Sequence, residues 1–350
     1  MSNKIPTIVL GGTGYVAGEL LRLIAGHPQL ELAAAVSTSQ AGNTIKSVFP
    51  HLQNAFGEQS YITQDEAGKF LQGEVALFSA APHGASAALI AKMLKQADQN
   101  NCKLTVVDVS ADFRYPDADS YEAVYGTAHG APELLEQFSS GLPEHMQTDT
   151  PHIGHPGCFA TAMLLGAVPL LDMQLTDNSI HAFGITGSTG SGRSPITGTH
   201  HPLRHSNLYA YKPLAHRHAP EVSGICAQVT GTKPVLSFIP HSGPFARGIH
   251  MTLTANLKKE LSNAELHAKF AHYYAGKPFI EIVASTPRIK DVAGSNYAHI
   301  GIATEGSVVA VFIAIDNLVK GAAGGAIQWM NLQLKLEETA GLTVPGPGWI

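Results

Sequence analysis

The chain has 350 residues, enough for two domains of ordinary size, and its 44% hydrophobic and 14% charged residues exclude an intrinsically disordered chain. Twenty-two basic against 27 acidic side chains give a net charge of −5 without long runs of one sign, so no electrostatic footprint for nucleic acid or an anionic membrane is present. Apolar stretches such as 160–171 and 308–315 are too short to span a bilayer, and Met1 to Lys4 show no export pattern; the three cysteines, Cys102, Cys158 and Cys226, lack C-x-x-C spacing and fit a reducing compartment. A cytoplasmic protein with no membrane or nucleic-acid partner is expected.

In chain order, Ile5–Leu10 reads as an apolar strand, Tyr15–Ala25 as a helix, and 30–37, 75–79 and 104–109 as further strands, with a helix over 83–95 between the last two. Strands buried on both faces and alternating with helices predict a Rossmann-type, doubly wound parallel sheet in an α/β domain. From about residue 156 the pattern changes. One helix over 159–171 precedes strand-like stretches at 181–185, 234–239, 248–257, 279–283 and 308–315, which suit an α+β domain with a mixed or antiparallel sheet. A final helix over 321–336 returns to the first domain. The expected division is therefore 1–155 with 318–350 for a dinucleotide-binding domain and 156–317 for a catalytic domain.

The turn Gly11-Gly12-Thr13-Gly14-Tyr15-Val16-Ala17-Gly18 directly follows the first strand and opens a helix. In that context glycines let the backbone approach a pyrophosphate, which sits against open N–H groups and the positive end of the helix. A dinucleotide is the expected ligand, held by Gly11, Thr13, Gly14, Tyr15 and Val16. At the end of the second strand, where NAD-binding proteins commonly place an acid for the ribose hydroxyls, the chain has Ser37, Thr38 and Ser39. Hydroxyls and amides there can donate to a 2′-phosphate, so NADP(H) is expected in preference to NAD.

Cys158 follows Pro156-Gly157 at the start of the third helix, where the helix terminus favours a thiolate; this is a nucleophile's position. Cys102 and Cys226 read as buried structural cysteines. His216 and His218 lie in the approach to Ala219-Pro220-Glu221, and either imidazole can reach a thiol. His200, His201 and His205 fall near them, but no H-E-x-x-H pattern or acidic partner accompanies the group, so no metal is expected. Arg114 and Arg247 are candidate clamps for phosphate or carboxylate, because a guanidinium forks onto such anions.

These residues, with Asp108-Val109-Ser110-Ala111-Asp112-Phe113-Arg114, Gly187-Ser188-Thr189-Gly190-Ser191-Gly192-Arg193 and Asp316-Asn317-Leu318-Val319-Lys320-Gly321-Ala322-Ala323-Gly324, occur in an order that resembles the N-acetyl-gamma-glutamyl-phosphate reductases of the semialdehyde dehydrogenase superfamily. The resemblance covers nearly the whole chain. It implies NADPH-dependent reduction of a small-molecule acyl phosphate to an aldehyde through a Cys158 thioester, with release of inorganic phosphate, as a step of arginine biosynthesis. It assigns His218 the acid/base role with His216 as the alternative, and places His216, Glu221, Arg114 and Arg247 around the substrate. Ser188, Gly190, Gly192 and Asn317 fall to the nicotinamide, and a homo-oligomer, dimer or tetramer, is implied. Other readings stay open: residues 199–205 also resemble the branch that reduces a carrier-linked aminoadipyl phosphate in lysine biosynthesis, and an aspartate semialdehyde dehydrogenase or a non-catalytic NADP-binding regulator shares the general pattern.

Overall fold

The computed structural model describes residues 4–349, which form two compact units. One comprises residues 4–140, 148–155 and 322–343; the other comprises residues 141–147, 156–321 and 344–349.

In the first unit, strands β1 (Ile5–Leu10), β2 (Leu30–Val36), β3 (Glu74–Ser79), β4 (Lys103–Asp108), β5 (Phe138–Ser140) and β6 (His152–Gly154) make one sheet in the order β2-β1-β3-β4-β6-β5, with every pairing parallel. Consecutive Ile8, Val9 and Leu10 are all buried, as a strand covered on both faces requires. The helix Tyr15–Ala25 buries Ala17, Leu20, Leu21 and Ile24, the helical i, i+3, i+4, i+7 spacing. Beyond that helix, the His27 ring accepts the amides of Gln29 and Leu30 at Nδ1 and meets Asn331 Oδ1 at 3.0 Å through Nε2, which ties the Gly324–Gln333 helix to the sheet's first connection. β1 pairs with β2 on one side and β3 on the other, so the glycine turn leaves β1 at the point where the winding reverses.

The second unit carries β7 (Ser179–Thr186), β8 (Tyr209–Ala210), β9 (Val235–Ser242), β10 (Ile249–Asn256), β11 (Ile280–Ile282), β12 (Ala298–Glu305) and β13 (Val308–Ile315). Their order is β11-β12-β13-β10-β7-β9-β8; β7 with β9 and β11 with β12 run parallel, and the other pairs are antiparallel. Ala182, Leu253, Val311 and Ile313 on one face join the core of the helices Cys158–Asp172, His218–Thr230 and Asn263–Tyr273. The alternate residues, among them Phe183 and Val308, leave the opposite face with exposed apolar side chains.

The unit boundaries differ from the sequence expectation in three places. Residues 141–147 belong to the second unit because Glu144 pairs with buried Lys320 and the His145 ring meets the Tyr274 hydroxyl at 2.9 Å. The expected single helix over 321–336 is a π-helical turn, Val319–Ala323, followed by Gly324–Gln333, and the chain changes unit between Gly321 and Ala322. The tail from Val344 also returns to the second unit.

Burial holds the imidazoles of His27, His145 and His152 below their ordinary pKa, the last two at about 4. His145 and His152 stay neutral through this range when folded yet protonate below pH 6.5 once unfolded, so the unfolded state gains protons and stability falls as pH drops from 6.5 toward 4; the lowered His27 acts in the same direction. Asp108, pushed up to about 6 by burial, acts in the opposite sense and offsets part of this. Calorimetry across this window is expected to show a steadily falling Tm; a flat profile would contradict the neutral imidazoles.

Candidate active site

In the first unit the glycine turn is shaped by close approaches. Gly11 has φ +70°, and a Cβ there would lie 2.5 Å from the Ala81 nitrogen. Gly14 caps the Tyr15–Ala25 helix with nothing within 4 Å of where its Cβ would be, so a ligand's phosphate can approach the helix N-terminus over bare backbone. Ser37 is buried with its hydroxyl 3.4 Å from that of Ser39, while Thr38 and Ser39 are exposed beyond the end of β2.

The Asp108-to-Arg114 segment is an internal scaffold in the same unit. Asp108 accepts from the hydroxyls of Ser110 and Ser86, and Asp112 accepts the amides of Gly84 and Ala87 at the start of the Ser86–Gln99 helix. Arg114 donates from Nε to the His155 carbonyl at 2.8 Å and from Nη2 to the Val109 carbonyl at 2.9 Å, so those two donors brace the chain just ahead of Pro156.

In the second unit Cys158 is half-buried as the first residue of the Cys158–Asp172 helix, and His218 is the first residue of His218–Thr230. Two helix N-termini thus supply the thiol and the imidazole. Between them stands Gly157: its N–H donates to Glu221 Oε1 at 2.7 Å, and a Cβ on it would fall 2.3 Å from His218 Nε2. The imidazole therefore lies against the peptide that leads into Cys158. His216 Nδ1 accepts the His218 amide at 3.2 Å, and its ring packs among Phe159, Tyr211 and Phe238. Burial, aided by Arg217 and Lys212, lowers His216 to about 4, so it is a neutral acceptor near pH 7. Burial first, then the nearby Cys158, raises the Tyr211 phenol above its ordinary range.

The remaining candidates organise the backbone around these groups. Asn317 accepts the Gly248 amide at 2.7 Å and donates to the Thr189 hydroxyl at 3.0 Å, which fastens the Ser188–Ser191 turn to the Arg247-Gly248 turn. Ser188 donates its amide to the Phe245 carbonyl, a Cβ on Gly190 would lie 3.2 Å from the Thr186 hydroxyl, and Gly192 turns the chain at φ +83°. Arg247 grips buried Asp316 through Nε at 3.0 Å and Nη2 at 3.2 Å; Asp316 also accepts the amides of Gly294, Leu318 and Val319.

Sequence reasoning passed over the Lys320–Glu144 pair, 2.5 Å apart and fully buried. Lys320 belongs to the π-turn Val319–Ala323, in which a Cβ on Gly321 would lie 2.8 Å from Cys158 Cβ. The pair therefore anchors a backbone segment that abuts the thiol residue. A lysine in the otherwise apolar stretch from Leu318 to Ala323 is the signal that points to it. Among the described residues no group of three or more His, Cys, Asp or Glu side chains is arranged to hold a metal, and no helix is long and apolar enough to cross a membrane.

Two family models match: the semialdehyde dehydrogenase NAD binding domain over residues 7–144 and the semialdehyde dehydrogenase dimerisation domain over residues 158–317. An N-acetyl-gamma-glutamyl-phosphate reductase of Acidithiobacillus ferrooxidans is 39% identical over 342 residues, covering 95% of this chain and 96% of the relative. The chain belongs to the N-acetyl-gamma-glutamyl-phosphate reductase family. It is an oxidoreductase with an NAD(P)-binding first unit. Two solved structures share its fold: aspartate semialdehyde dehydrogenase II of Vibrio cholerae at TM-score 0.72 and 14% identity, and an aspartate semialdehyde dehydrogenase with NADP from Candida albicans at 0.69 and 15%, each covering 95% of this chain and 99% of the other.

The tight contact at Gly157 yields a direct test. Gly157→Ala forces its new methyl into the His218 ring; kcat is expected to fall about 100-fold, as misplacement by an ångström can cause, while the circular dichroism spectrum stays native. Wild-type turnover in Gly157→Ala would mean that the imidazole's seat against residue 157 is unimportant.

Proposed function

We propose that the chain reduces N-acetyl-γ-glutamyl phosphate to N-acetylglutamate semialdehyde with NADPH, releasing inorganic phosphate, and so serves arginine biosynthesis in the cytoplasm. The observation that carries this reading is the convergence of Cys158 and His218 at the starts of two helices around Gly157, within a family of that name.

The Gly11–Val16 turn and the Ser37–Ser39 loop would hold NADPH, which when bound would supply the hydride for reduction of an acyl group. The bare Cα of Gly14 at the helix N-terminus fits its pyrophosphate. Cys158 attacks the acyl carbon as a thiolate favoured by the helix terminus; the C–S bond forms, the C–O bond to phosphate breaks, and a thioester results. After reduction the carbon carries sulfur, hydrogen and an oxyanion. His218 as imidazolium gives that oxygen its proton and then, as imidazole, takes it back while the C–S bond breaks to free the aldehyde and the thiolate. His216, neutral and accepting the His218 amide, fixes where that ring begins; Glu221 does the same for the Gly157 peptide. Arg114, Arg247 and Asn317 support the loops that line the substrate and nicotinamide, alongside Ser188, Gly190 and Gly192. The open face of the seven-stranded sheet, with Phe183 and Val308 exposed, is the surface by which two copies pair, in keeping with the dimerisation-domain match over 158–317.

The reverse reaction tests the scheme. Wild-type protein mixed with N-acetylglutamate semialdehyde, phosphate and NADP is expected to raise absorbance at the reduced-nicotinamide band. Cys158→Ser should abolish turnover but keep NADP binding, and His218→Asn should lower kcat roughly 10²- to 10⁴-fold with little change in KM. Wild-type rates in Cys158→Ser would refute the thioester route.

For the cofactor, Thr38→Asp places a carboxylate where the 2′-phosphate of NADP would lie. The ratio of kcat/KM for NADP to that for NAD is expected to drop by at least about tenfold, since the new charge repels the phosphate and accepts ribose hydroxyls. A wild-type preference for NAD would overturn this reading of the loop.

A further inference from the structure

Arg204 closes the short helix His201–Arg204, on the excursion that leads from the Gly187–Gly192 loop to His216. It is 8% exposed, although its neighbours Leu203 and His205 are exposed. Nη1 makes one long bond, 3.4 Å, to the Asn207 carbonyl; Nε and Nη2 are buried and have no hydrogen-bond partner among the described residues. Buried polar groups are almost always paired, and a buried guanidinium without a counter-charge is costly. The counter-charge is not local in sequence: no aspartate or glutamate occurs between Asp177 and Glu221.

The same edge of the guanidinium shows what it is suited to take. Arg247 and Arg288 both use Nε and Nη2 together, each to fork onto the two oxygens of one aspartate, Asp316 and Asp291. Arg204 presents the identical pair of donors, in the geometry that matches a carboxylate side-on. Its location agrees with a substrate role. The excursion rejoins the sheet as β8, where Tyr209 pairs with Ser242 at the C-terminal end of β9; the parallel neighbour β7 ends at Thr186, which leads into the Gly187–Gly192 loop. Six residues after β8 the chain reaches His216, which seats His218.

We propose that Arg204 recognises the carboxylate of the acyl substrate, taking it on the Nε–Nη2 edge and thereby setting specificity for an acyl group that carries a free carboxylate. The proposal rests on the reductase reading above. That carboxylate stays on the molecule while the phosphate leaves, so one fork holds the acyl chain through both halves of the reaction. Arg114 and Arg247 use the same edge for carbonyls and for Asp316, which sets Arg204 apart from the arginines marked by motif.

The test is the reverse reaction with two aldehydes, N-acetylglutamate semialdehyde and 4-acetamidobutanal, which differ only by the carboxylate. Wild-type protein is expected to prefer the first by at least about 30-fold in kcat/KM, the scale of a charge-assisted bidentate contact. Arg204→Met should bring the ratio near unity by raising KM for the first aldehyde, leave KM for phosphate and NADP unchanged, and keep or raise Tm because an uncompensated buried charge is gone. Arg204→Lys, which keeps the charge and loses the fork, should fall between. A preserved ratio in Arg204→Met overturns the proposal, as does a raised KM for phosphate, which would assign the fork to that anion. A loss of oligomer mass with the ratio intact also overturns it, since a second copy would then supply the carboxylate. If wild-type protein turns over neither aldehyde, the reductase reading itself fails; calorimetry with N-acetylglutamate then decides the site, binding lost in Arg204→Met supporting it and equal binding refuting it.

Discussion

Everything at the thiol depends on one peptide that has no room for a side chain. Gly157 is fixed from one side by the Glu221 carboxylate, which accepts its N–H, and is covered from the other by the His218 imidazole, whose ring atoms stand where a methyl group would be. Both partners come from the first turn of the His218–Thr230 helix, and Gly157 is itself the N-cap of the cysteine helix. Two helix starts are thus locked together by one hydrogen bond and one ring contact. The positive ends of both helices converge there, which favours negative charge on sulfur.

Buried carboxylates do the same organising work elsewhere in the second unit. Asp316 holds Arg247 and three backbone amides, and so determines where the π-turn begins; Glu144 holds Lys320 within that turn. Neither acid is a surface charge that solvent can replace, since both are buried. The arrangement resembles a set of pegs. Each carboxylate satisfies donors that a turn would otherwise leave unpaired, and each turn in succession presents backbone to Cys158 or to the nearby loops.

The sequence was most informative where one physical requirement dominates. Ile5–Leu10, Tyr15–Ala25 and Val308–Ile315 were readable to the residue because burial alone dictates their patterns. Strand β12 and the helix Asn263–Tyr273 escaped because their polar residues, such as His299 and Lys269, dilute the apolar periodicity. At the candidate site, Cys158 and His218 were singled out from the Pro-Gly and His-Arg-His contexts, and the structure sets both at helix starts around Gly157. The resemblance put His218 ahead of His216, but the Phe159, Tyr211 and Phe238 rings that bury His216 were not readable from the sequence. Arg247 carried the motif, yet its fork faces Asp316; Arg204 lies in no glycine-rich loop and gave no sign of its burial.

The interleaving of the two units has a consequence for how the chain is made. It passes from one unit to the other after Ser140, Gln147, His155, Gly321 and Thr343, so neither unit is a continuous stretch of message. Glu144 leaves the ribosome 176 residues ahead of Lys320. At about 5–20 residues per second, the acid waits roughly 10–35 s for the Lys320 cation that pairs with it. Until Gly321 is made, the backbone that abuts Cys158 does not exist, so the nascent chain carries this thiol without the wall that completes its surroundings. The surroundings of the Cys158 thiol are in this way completed only when nearly the whole polypeptide has been synthesised.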